Sequence, residues 1–239
     1  MTNTSISDPA PALGALPARS LVTAIFRNNG RAHVPEVLSE ESALRLYHVL
    51  SNETPWRLAF NKGAQHFDGE NLTEIERRHL ATGAWTRARD GFQYFYDRHV
   101  ISTAGESYAV PTHYLGRMCA FLNSAPFLAL MREITGLGAI KAASAEATFY
   151  RQGDFFTFND GRRGDARRLA YYVLSVTPGW RGDWGGIVQF LNDDGHVAEG
   201  FAPAFNSLMV FRLPMNHSVS QVAIYGGYRH AIEGWLLGA

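Results

Sequence analysis

The side chains that could serve as nucleophiles or anion ligands do not form a local catalytic motif. The single cysteine, Cys119, is flanked by apolar residues, which predicts a buried core thiol rather than a nucleophile. No Gly-x-Ser-x-Gly sequence of the kind that carries a serine nucleophile is present, so neither a Ser-His-Asp nor a Cys-His enzyme is indicated. Basic residues cluster at 162–168, but Asp160 and Asp165 alternate with them, which favours a solvated loop and strand start over a phosphate site.

The histidines show no local spacing typical of a metal site. His66, His99 and His113 lie far apart in the N-terminal half, and surface or helix-capping positions are predicted for them. His217 begins the sequence His-Ser-Val-Ser, just before a predicted strand. A histidine in such a position is more often structural than a ligand, so these residues on their own assign no reaction.

Composition describes an ordinary soluble globular chain. Its 239 residues are 46% hydrophobic and 18% charged, and 22 basic residues balance 22 acidic ones. A net charge of zero gives no overall attraction to nucleic acid or to an anionic membrane, so neither is expected as a partner. There is no apolar run long enough to span a bilayer and no secretory signal pattern, so a cytoplasmic location is expected. The expected oligomeric state is a monomer or a homodimer.

The N-terminal half is predicted to be mainly helical. Residues 1–18, rich in Ala, Pro, Ser and Thr, are expected to form a disordered tail. Trp56–Phe60 alternates like a short strand. The amphipathic or capped segments that favour helices are residues 20–30, 39–50, 73–90 and 112–136.

From about residue 140 the pattern changes to short apolar or alternating runs separated by Gly, Pro, Asn and Asp. Such regular spacing favours a β-sandwich or barrel over βαβ units. The six runs are residues 145–150, 169–176, 186–191, 207–212, 218–224 and 231–237. The prediction is therefore an α+β, mainly β fold. A single domain, 19–239, has a helical N-terminal half packed on a jelly-roll core at about 140–239.

Six strings in this half occur in an order that resembles one known family. They are residues 147–157, 167–174, 180–190, 203–211, 217–222 and 229–235. In this order they resemble the bacterial prolyl-hydroxylase-like branch of the Fe(II)/2-oxoglutarate oxygenases, and the N-terminal half is similar to that group at residues 55–56, 91–93 and 122–127. The resemblance implies the double-stranded β-helix, a jelly roll, and dioxygenase chemistry of an oxidoreductase.

The resemblance also implies residue roles. Enzymes of this family hold Fe(II) with two histidines and one carboxylate, and an arginine or lysine grips the distal carboxylate of 2-oxoglutarate. His217 matches the distal histidine, Arg229 matches the 2-oxoglutarate anchor, and Tyr150 matches a tyrosine that lines the cosubstrate pocket or belongs to the core. Ala231 stands where the family usually has a serine. The loss of that hydroxyl is expected to weaken carboxylate binding by about 1 kcal/mol.

The triad itself departs from the family pattern. Where His-x-Asp is expected, the chain reads Asn159-Asp160-Gly161, so two of three metal ligands are absent. A glycine in place of the carboxylate resembles the halogenase branch, but those enzymes keep both histidines. Asn159 offers only a neutral amide oxygen, and Asp160 should face away from the site unless Gly161 permits a bulge. Fe(II) is therefore doubtful, whereas 2-oxoglutarate stays possible as a cofactor.

Three functions remain open. The first is a non-iron or catalytically altered homologue that binds a small carboxylate, with 2-oxoglutarate at Arg229 as one candidate. The second is an active hydroxylase of an amino acid, peptide or small molecule that uses His217 with Asp160 or with an N-terminal histidine. The third, less favoured, is metal-free isomerisation or cyclisation. The substrate is unspecified, although four aromatic residues could line a channel if they do not belong to the core: Trp56, Phe60, Phe92 and Tyr94.

Overall fold

The computed structural model describes residues 9–16, 18–102, 113–161 and 165–239, and five α-helices and thirteen strands lie in them. The helices are α1 (Arg19–Asn29), α2 (Glu40–Asn52), α3 (Glu74–Arg87), α4 (Tyr114–Leu122) and α5 (Ala125–Thr135). The first strands are β1 (Arg31–Pro35), β2 (Arg57–Lys62), β3 (Gln65–Gly69), β4 (Tyr94–Ser102) and β5 (Ala142–Ala143). The remaining strands are β6 (Ala145–Tyr150), β7 (Phe155–Asn159), β8 (Arg168–Ser175), β9 (Val188–Leu191), β10 (Val197–Phe201), β11 (Ser207–Arg212), β12 (His217–Val219) and β13 (Arg229–Leu237).

The helices begin and end at residues whose chemistry specifies a terminus. Ser39 caps α2, and Thr73 forms a reciprocal capping box with Glu76 at the start of α3. Gly30 and Gly136 adopt the left-handed conformation that ends α1 and α5. The four predicted helical segments are therefore confirmed, with the last one divided into α4 and α5. In the described part of the chain, no helix combines the length and apolar character that crossing a bilayer requires.

The strands of the C-terminal half form two four-stranded antiparallel layers. The order β11-β8-β13-β6 makes the first layer, and the order β7-β12-β9-β10 makes the second. β4 pairs with both β6 and β7, and so connects the two layers. This arrangement confirms the predicted jelly roll with helices packed on it.

The first layer buries both of its faces. Along β8, Tyr172 and Leu174 point outward into the cluster formed with the helices, whereas Val173 belongs to the cluster inside the barrel. The same alternation on β13 sends Ile232 and Leu236 toward the helices and Ala231 toward the interior. Inward-facing positions of this layer therefore border the space between the two layers.

The structure differs from the sequence prediction in three places. The N-terminal half contributes four strands as well as helices, and β3 and β4 were not predicted. Part of the expected disordered tail is ordered, because Leu13 forms a β-bridge with Leu38 and the Gly14 amide donates to the Val37 carbonyl. The strand expected over 218–224 ends at residue 219. Beyond it, backbone amides donate to separate segments instead of one ladder.

Side chains also join the two ends of the strand order. Arg31 on β1 forms an ion pair with Glu199 on β10, and the ring of His33 stacks on that of Phe201 with centroids 5.6 Å apart. The two edge strands thus face each other, and the sheet is rolled into a nearly closed barrel.

Asn61 on β2 holds the start of β4, the strand whose residues Tyr94, Tyr96 and Arg98 line the cavity. Its buried side chain accepts a hydrogen bond from the Tyr94 amide and donates to the Gly63 and Phe92 carbonyls. We expect Asn61→Ala to lower the free energy of unfolding by about 2–4 kcal/mol, since it leaves buried backbone groups unpaired. Urea denaturation checks this, with the exposed Asn52→Ala, expected to change stability by less than about 0.5 kcal/mol, as control. Equal effects of the two substitutions would contradict the assignment.

Candidate functional site

A cavity of about 400 Å³ lies between the two layers of the jelly roll. Its wall is made mainly of aromatic and aliphatic side chains, and a few charged and imidazole groups interrupt it. Those groups are His66, Arg98, Glu146, Arg168, His217 and Glu233. Polar groups in an otherwise apolar cleft of this size are typical of a ligand-binding site.

His217 and Asn159 lie side by side on neighbouring strands of the second layer. They are directly paired in the register of β12 and β7, and both line the cavity. The Nδ1 atom of His217 lies 2.8 Å from the Met215 carbonyl, which can only accept, so Nδ1 carries the proton and Nε2 is an acceptor. Burial lowers the pKa of His217, which keeps the imidazole neutral. The Asn159 side-chain oxygen accepts a hydrogen bond from the Gly161 backbone amide, so the oxygen that could act as a metal ligand already has a partner.

A side chain at the position expected to carry the metal-binding carboxylate would be strained and would have to displace Leu213. Gly161 has φ +72°, a conformation that L-residues with side chains rarely adopt. A Cβ atom built there would lie 2.4 Å from Leu213 Cδ2. The space next to His217 is therefore filled by leucine, which differs from the open position that a halogenase-like site would need.

The donors that surround His217 do not fit an Fe(II) site. Asp160 follows the last residue of β7, is exposed, and does not line the cavity. Among the described residues, no group of three or more His, Cys, Asp or Glu side chains is arranged to hold a metal ion. His66 does line the cavity, but its Nδ1 atom lies 2.6 Å from the Tyr94 hydroxyl. His113 caps α4, as expected of a capping histidine, and His99 is outside the cavity wall.

Arg229 lies behind Tyr150, which lines the cavity, and it has unpaired donors. Its guanidinium carbon lies 4.6 Å from the ring centroid of Tyr150, which in turn stacks on Tyr96 at 4.9 Å. The side chain is 1% exposed, and its Nε and Nη1 atoms are buried with no hydrogen-bond partner. An orphaned buried cation of this kind is costly unless an anion or water compensates it.

Two hydroxyls flank the position where the family serine is missing. Ala231 is paired in register with Thr148 on β6 and with Ser175 on β8. The Oγ atom of Ser175 is buried and has no hydrogen-bond partner among the described residues, whereas that of Thr148, also buried, lies close enough to the Glu233 carboxylate to oppose the rise in pKa that burial causes there. A hydroxyl from each neighbouring strand therefore lies beside the position where the family hydroxyl is missing.

Two glutamates that the sequence analysis missed also line the cavity. Glu146 on β6 and Glu233 on β13 are directly opposite each other in the register. Arg98 forms an ion pair with Glu146 at 3.2 Å, and the Tyr96 hydroxyl donates to the same carboxylate at 3.2 Å. Burial raises the pKa of Glu146, and the charge of Arg98 opposes that rise.

Glu233 is less well compensated than Glu146. Burial raises its pKa to about 7, and the charge of Arg229 opposes that rise. Among the described residues no cationic side chain forms an ion pair with its carboxylate within 4 Å. The alternation of β13 was a usable signal for this residue, because Glu233 stands four positions after Arg229 and so shares its face.

The remaining sequence expectations divide between cavity and core. Arg168, expected at a solvated strand start, is the first residue of β8, but it lines the cavity and lies over the Trp235 ring at 3.8 Å. Arg162 and Arg163 are outside the described residues, whereas Arg167 pairs with Asp165 on the surface. Of the four aromatic residues considered as a channel lining, Phe92 and Tyr94 line the cavity. Trp56 and Phe60 pack in hydrophobic clusters outside it. The core position of Cys119 is confirmed.

Restoring the family residues at positions 159 and 161 tests the steric argument. We expect Asn159→His/Gly161→Asp to be less stable by about 2 kcal/mol or more, because the new Cβ meets Leu213 in a left-handed conformation. The double variant should not bind Co(II) more tightly than Asn159→His alone, whereas added Leu213→Ala should improve binding. Denaturation and the visible absorption of Co(II) provide the two readouts. A double variant that binds Co(II) as well as the triple variant would refute the role of Leu213.

The buried carboxyl of Glu233 predicts a pH-dependent stability. Its pKa of about 7 in the folded chain exceeds the ordinary 4.5, so the folded state holds the proton more tightly and stability falls as pH rises through that window. We expect Glu233→Gln to gain about 3 kcal/mol over the wild type between pH 4 and pH 8. Urea denaturation at both pH values measures it, with the exposed Glu36→Gln as control. Parallel pH profiles for wild type and Glu233→Gln would contradict the prediction.

Comparison with known proteins agrees with this architecture. Residues 145–237 match the family model of the 2OG-Fe(II) oxygenase superfamily. No curated protein sequence matches the chain. The family uses 2-oxoglutarate and Fe(II), and the matched segment is the eight-stranded jelly roll that surrounds the cavity.

Several solved structures share the fold at low sequence identity. A 2OG-Fe(II) oxygenase family oxidoreductase from Burkholderia pseudomallei is 15% identical with a TM-score of 0.63, covering 93% of both chains. A prolyl-4-hydroxylase from Pseudomonas putida is 17% identical, with a TM-score of 0.55 over 95% of this chain and 98% of that one. A Trichoplax adhaerens prolyl hydroxylase in complex with a hypoxia inducible factor peptide fragment is 14% identical, with a TM-score of 0.62 over 92% and 89%. The predicted resemblance is therefore confirmed: the jelly-roll segment is similar to the 2OG-Fe(II) oxygenase superfamily, and the fold is shared with a solved oxygenase and with solved prolyl hydroxylases.

Proposed function

We propose that this protein is a catalytically altered oxygenase homologue that binds a small carboxylate in the jelly-roll cavity without triad-bound Fe(II). The observation that carries the proposal is the buried guanidinium of Arg229, whose Nε and Nη1 atoms have no partner. A carboxylate accepts two parallel hydrogen bonds from a guanidinium and neutralises its charge. A bound carboxylate would thus pair with the buried guanidinium of Arg229.

The residues around Arg229 suit the same role. The hydroxyls of Thr148 and Ser175 flank Ala231; that of Ser175 has no partner in the described part of the chain and can donate to a ligand carboxylate, while that of Thr148 also lies near Glu233. The ring of Tyr150 covers one face of the guanidinium and holds it in place. Neutral His217 faces the cavity on the other layer, where its Nε2 atom can accept a hydrogen bond from a ligand hydroxyl or amine. These groups bind and orient a ligand, and none of them requires a metal.

The competing proposal is an active hydroxylase that binds metal through His217 and Asp160 or through His66. It needs Asp160 to turn into the cavity, whereas that side chain is exposed, and it needs Leu213 to leave the space beside His217. A peptide ligand, as in the Trichoplax adhaerens prolyl hydroxylase complex, is the alternative to a small molecule. The proposal includes no nucleic acid or membrane partner. A cytoplasmic location and a monomer or homodimer remain part of it.

Anaerobic calorimetric titration of 2-oxoglutarate and of pentanoate, with and without Fe(II), tests the proposal. We expect at least one of the two carboxylates to bind, with an affinity that Fe(II) does not change. Arg229→Met should weaken binding by about 100-fold, since it removes a charged bidentate donor. The matched control is Arg89→Met, an exposed arginine after α3, which should bind like the wild type.

The outcomes separate the two proposals. Binding of neither carboxylate by the folded wild type would reject the carboxylate site. Binding that requires Fe(II), together with succinate formation and loss of both in His217→Ala, would establish the hydroxylase instead. Thermal unfolding of each variant first verifies that it is folded.

A further inference from the structure

We propose that Glu233 makes this cavity selective for a ligand with a carboxylate at one end and a protonated amine at the other. This inference rests on the proposed function, because it places the ligand carboxylate at Arg229. It adds the chemistry of the second end. The family resemblance gave no role to position 233, and the sequence analysis did not single out that residue.

The geometry of β13 sets the length of such a ligand. Arg229, Ala231 and Glu233 alternate onto one face of the strand, where Ala231 packs in the interior cluster and Glu233 lines the cavity. Successive residues on one face are about 7 Å apart. A ligand carboxylate placed beside Ala231 would lie within reach of the Arg229 guanidinium and of the hydroxyls of Thr148 and Ser175. A group about 7 Å farther along the strand reaches the carboxyl of Glu233. A five-carbon chain with charged ends spans that separation.

Charge balance determines which kind of group suits the second end. Glu146 already has Arg98 at 3.2 Å, whereas Glu233 has no ion-pair partner among the described residues. Its charged form is favoured only by the more distant positive charge of Arg229 and by the hydroxyls of Thr148 and Tyr171. When a ligand carboxylate neutralises Arg229, Glu233 loses the compensation that this arginine supplied. A ligand ammonium restores neutrality, whereas a second carboxylate would add a like charge to a buried site.

The other charged and polar groups of the cavity do not take over this role. The cation of Arg168 lies over the Trp235 ring and interacts electrostatically with Asp165 and Tyr171. The imidazole of His217 is neutral and belongs to the opposite layer. Glu233 is only 5% exposed, so bulk water contributes little to solvating its charge. A compensating cation therefore has to come from the ligand.

Three probes that share a five-carbon chain test the inference: 5-aminopentanoate, pentanoate and glutarate. Each has one carboxylate for Arg229, and they differ only in whether the other end is cationic, apolar or anionic. By calorimetric titration at pH 7.5, we expect 5-aminopentanoate to bind about tenfold or more tighter than glutarate, with pentanoate between them. This comparison uses the wild-type protein and needs no variant.

Variants then assign the preference to one residue. Glu233→Gln should reduce the ratio of the 5-aminopentanoate and glutarate affinities to about threefold or less, because the amide carries no charge. Glu36→Gln makes the same chemical change on the surface, and it should leave the ratio unchanged. A ratio that survives Glu233→Gln would overturn the role of Glu233.

The wild-type results distinguish this inference from the proposal beneath it. If glutarate binds as tightly as 5-aminopentanoate, or pentanoate binds and the amine adds nothing, selection by Glu233 is wrong and the carboxylate site stands. If none of the three probes binds, the carboxylate site and its selectivity are both rejected.

Discussion

The fixed register of β13 between β6 and β8 is the constraint on which the rest of the site depends. Both faces of this strand are buried, so its alternation assigns each side chain either to the helices or to the cavity. Arg229, Ala231 and Glu233 share the cavity face because of that alternation. A slip of one residue would instead present His230 and Ile232 to the interior and bury the charges against the helical layer. The charge pattern of the cavity is thus a property of strand pairing.

The changes at the triad position are mutually dependent rather than independent losses. The Asn159 oxygen is engaged by the Gly161 amide, and the left-handed backbone of Gly161 brings that amide within reach. The same glycine leaves space into which Leu213 packs. The region around Asn159 and Gly161 is therefore filled by an apolar contact. The region around Arg229 differs from it, because buried donors of that side chain are left without a partner among the described residues.

The fold was largely predictable from sequence, because helix caps and alternating strands are local signals. Ser39 and Thr73 specify helix starts by their side chains, and runs such as 145–150 and 207–212 have the bounds of the observed strands. β4 was missed because its pairing with β6 and β7 is wholly non-local.

The site was less predictable than the fold. His217, Asn159 and Arg229 could be located by resemblance, yet the filling of the carboxylate space by Leu213 depends on a contact across 52 positions of sequence. The placement of Thr148 and Ser175 beside the missing hydroxyl depends on a register that only tertiary structure fixes. Glu233 was overlooked because one glutamate in a strand carries no local signal of its burial.

The contact between β1 and β10 has a consequence for how the molecule meets other copies of itself. An edge strand with free backbone groups is a template for adding a further strand, and this is a common route to aggregation. Here Arg31 and Glu199 place opposite charges along the two edges, and His33 covers Phe201. An incoming strand would have to break this ion pair and separate the stacked rings before it could pair with either edge. The contact between β1 and β10 that closes the barrel therefore also disfavours the addition of a strand from another molecule.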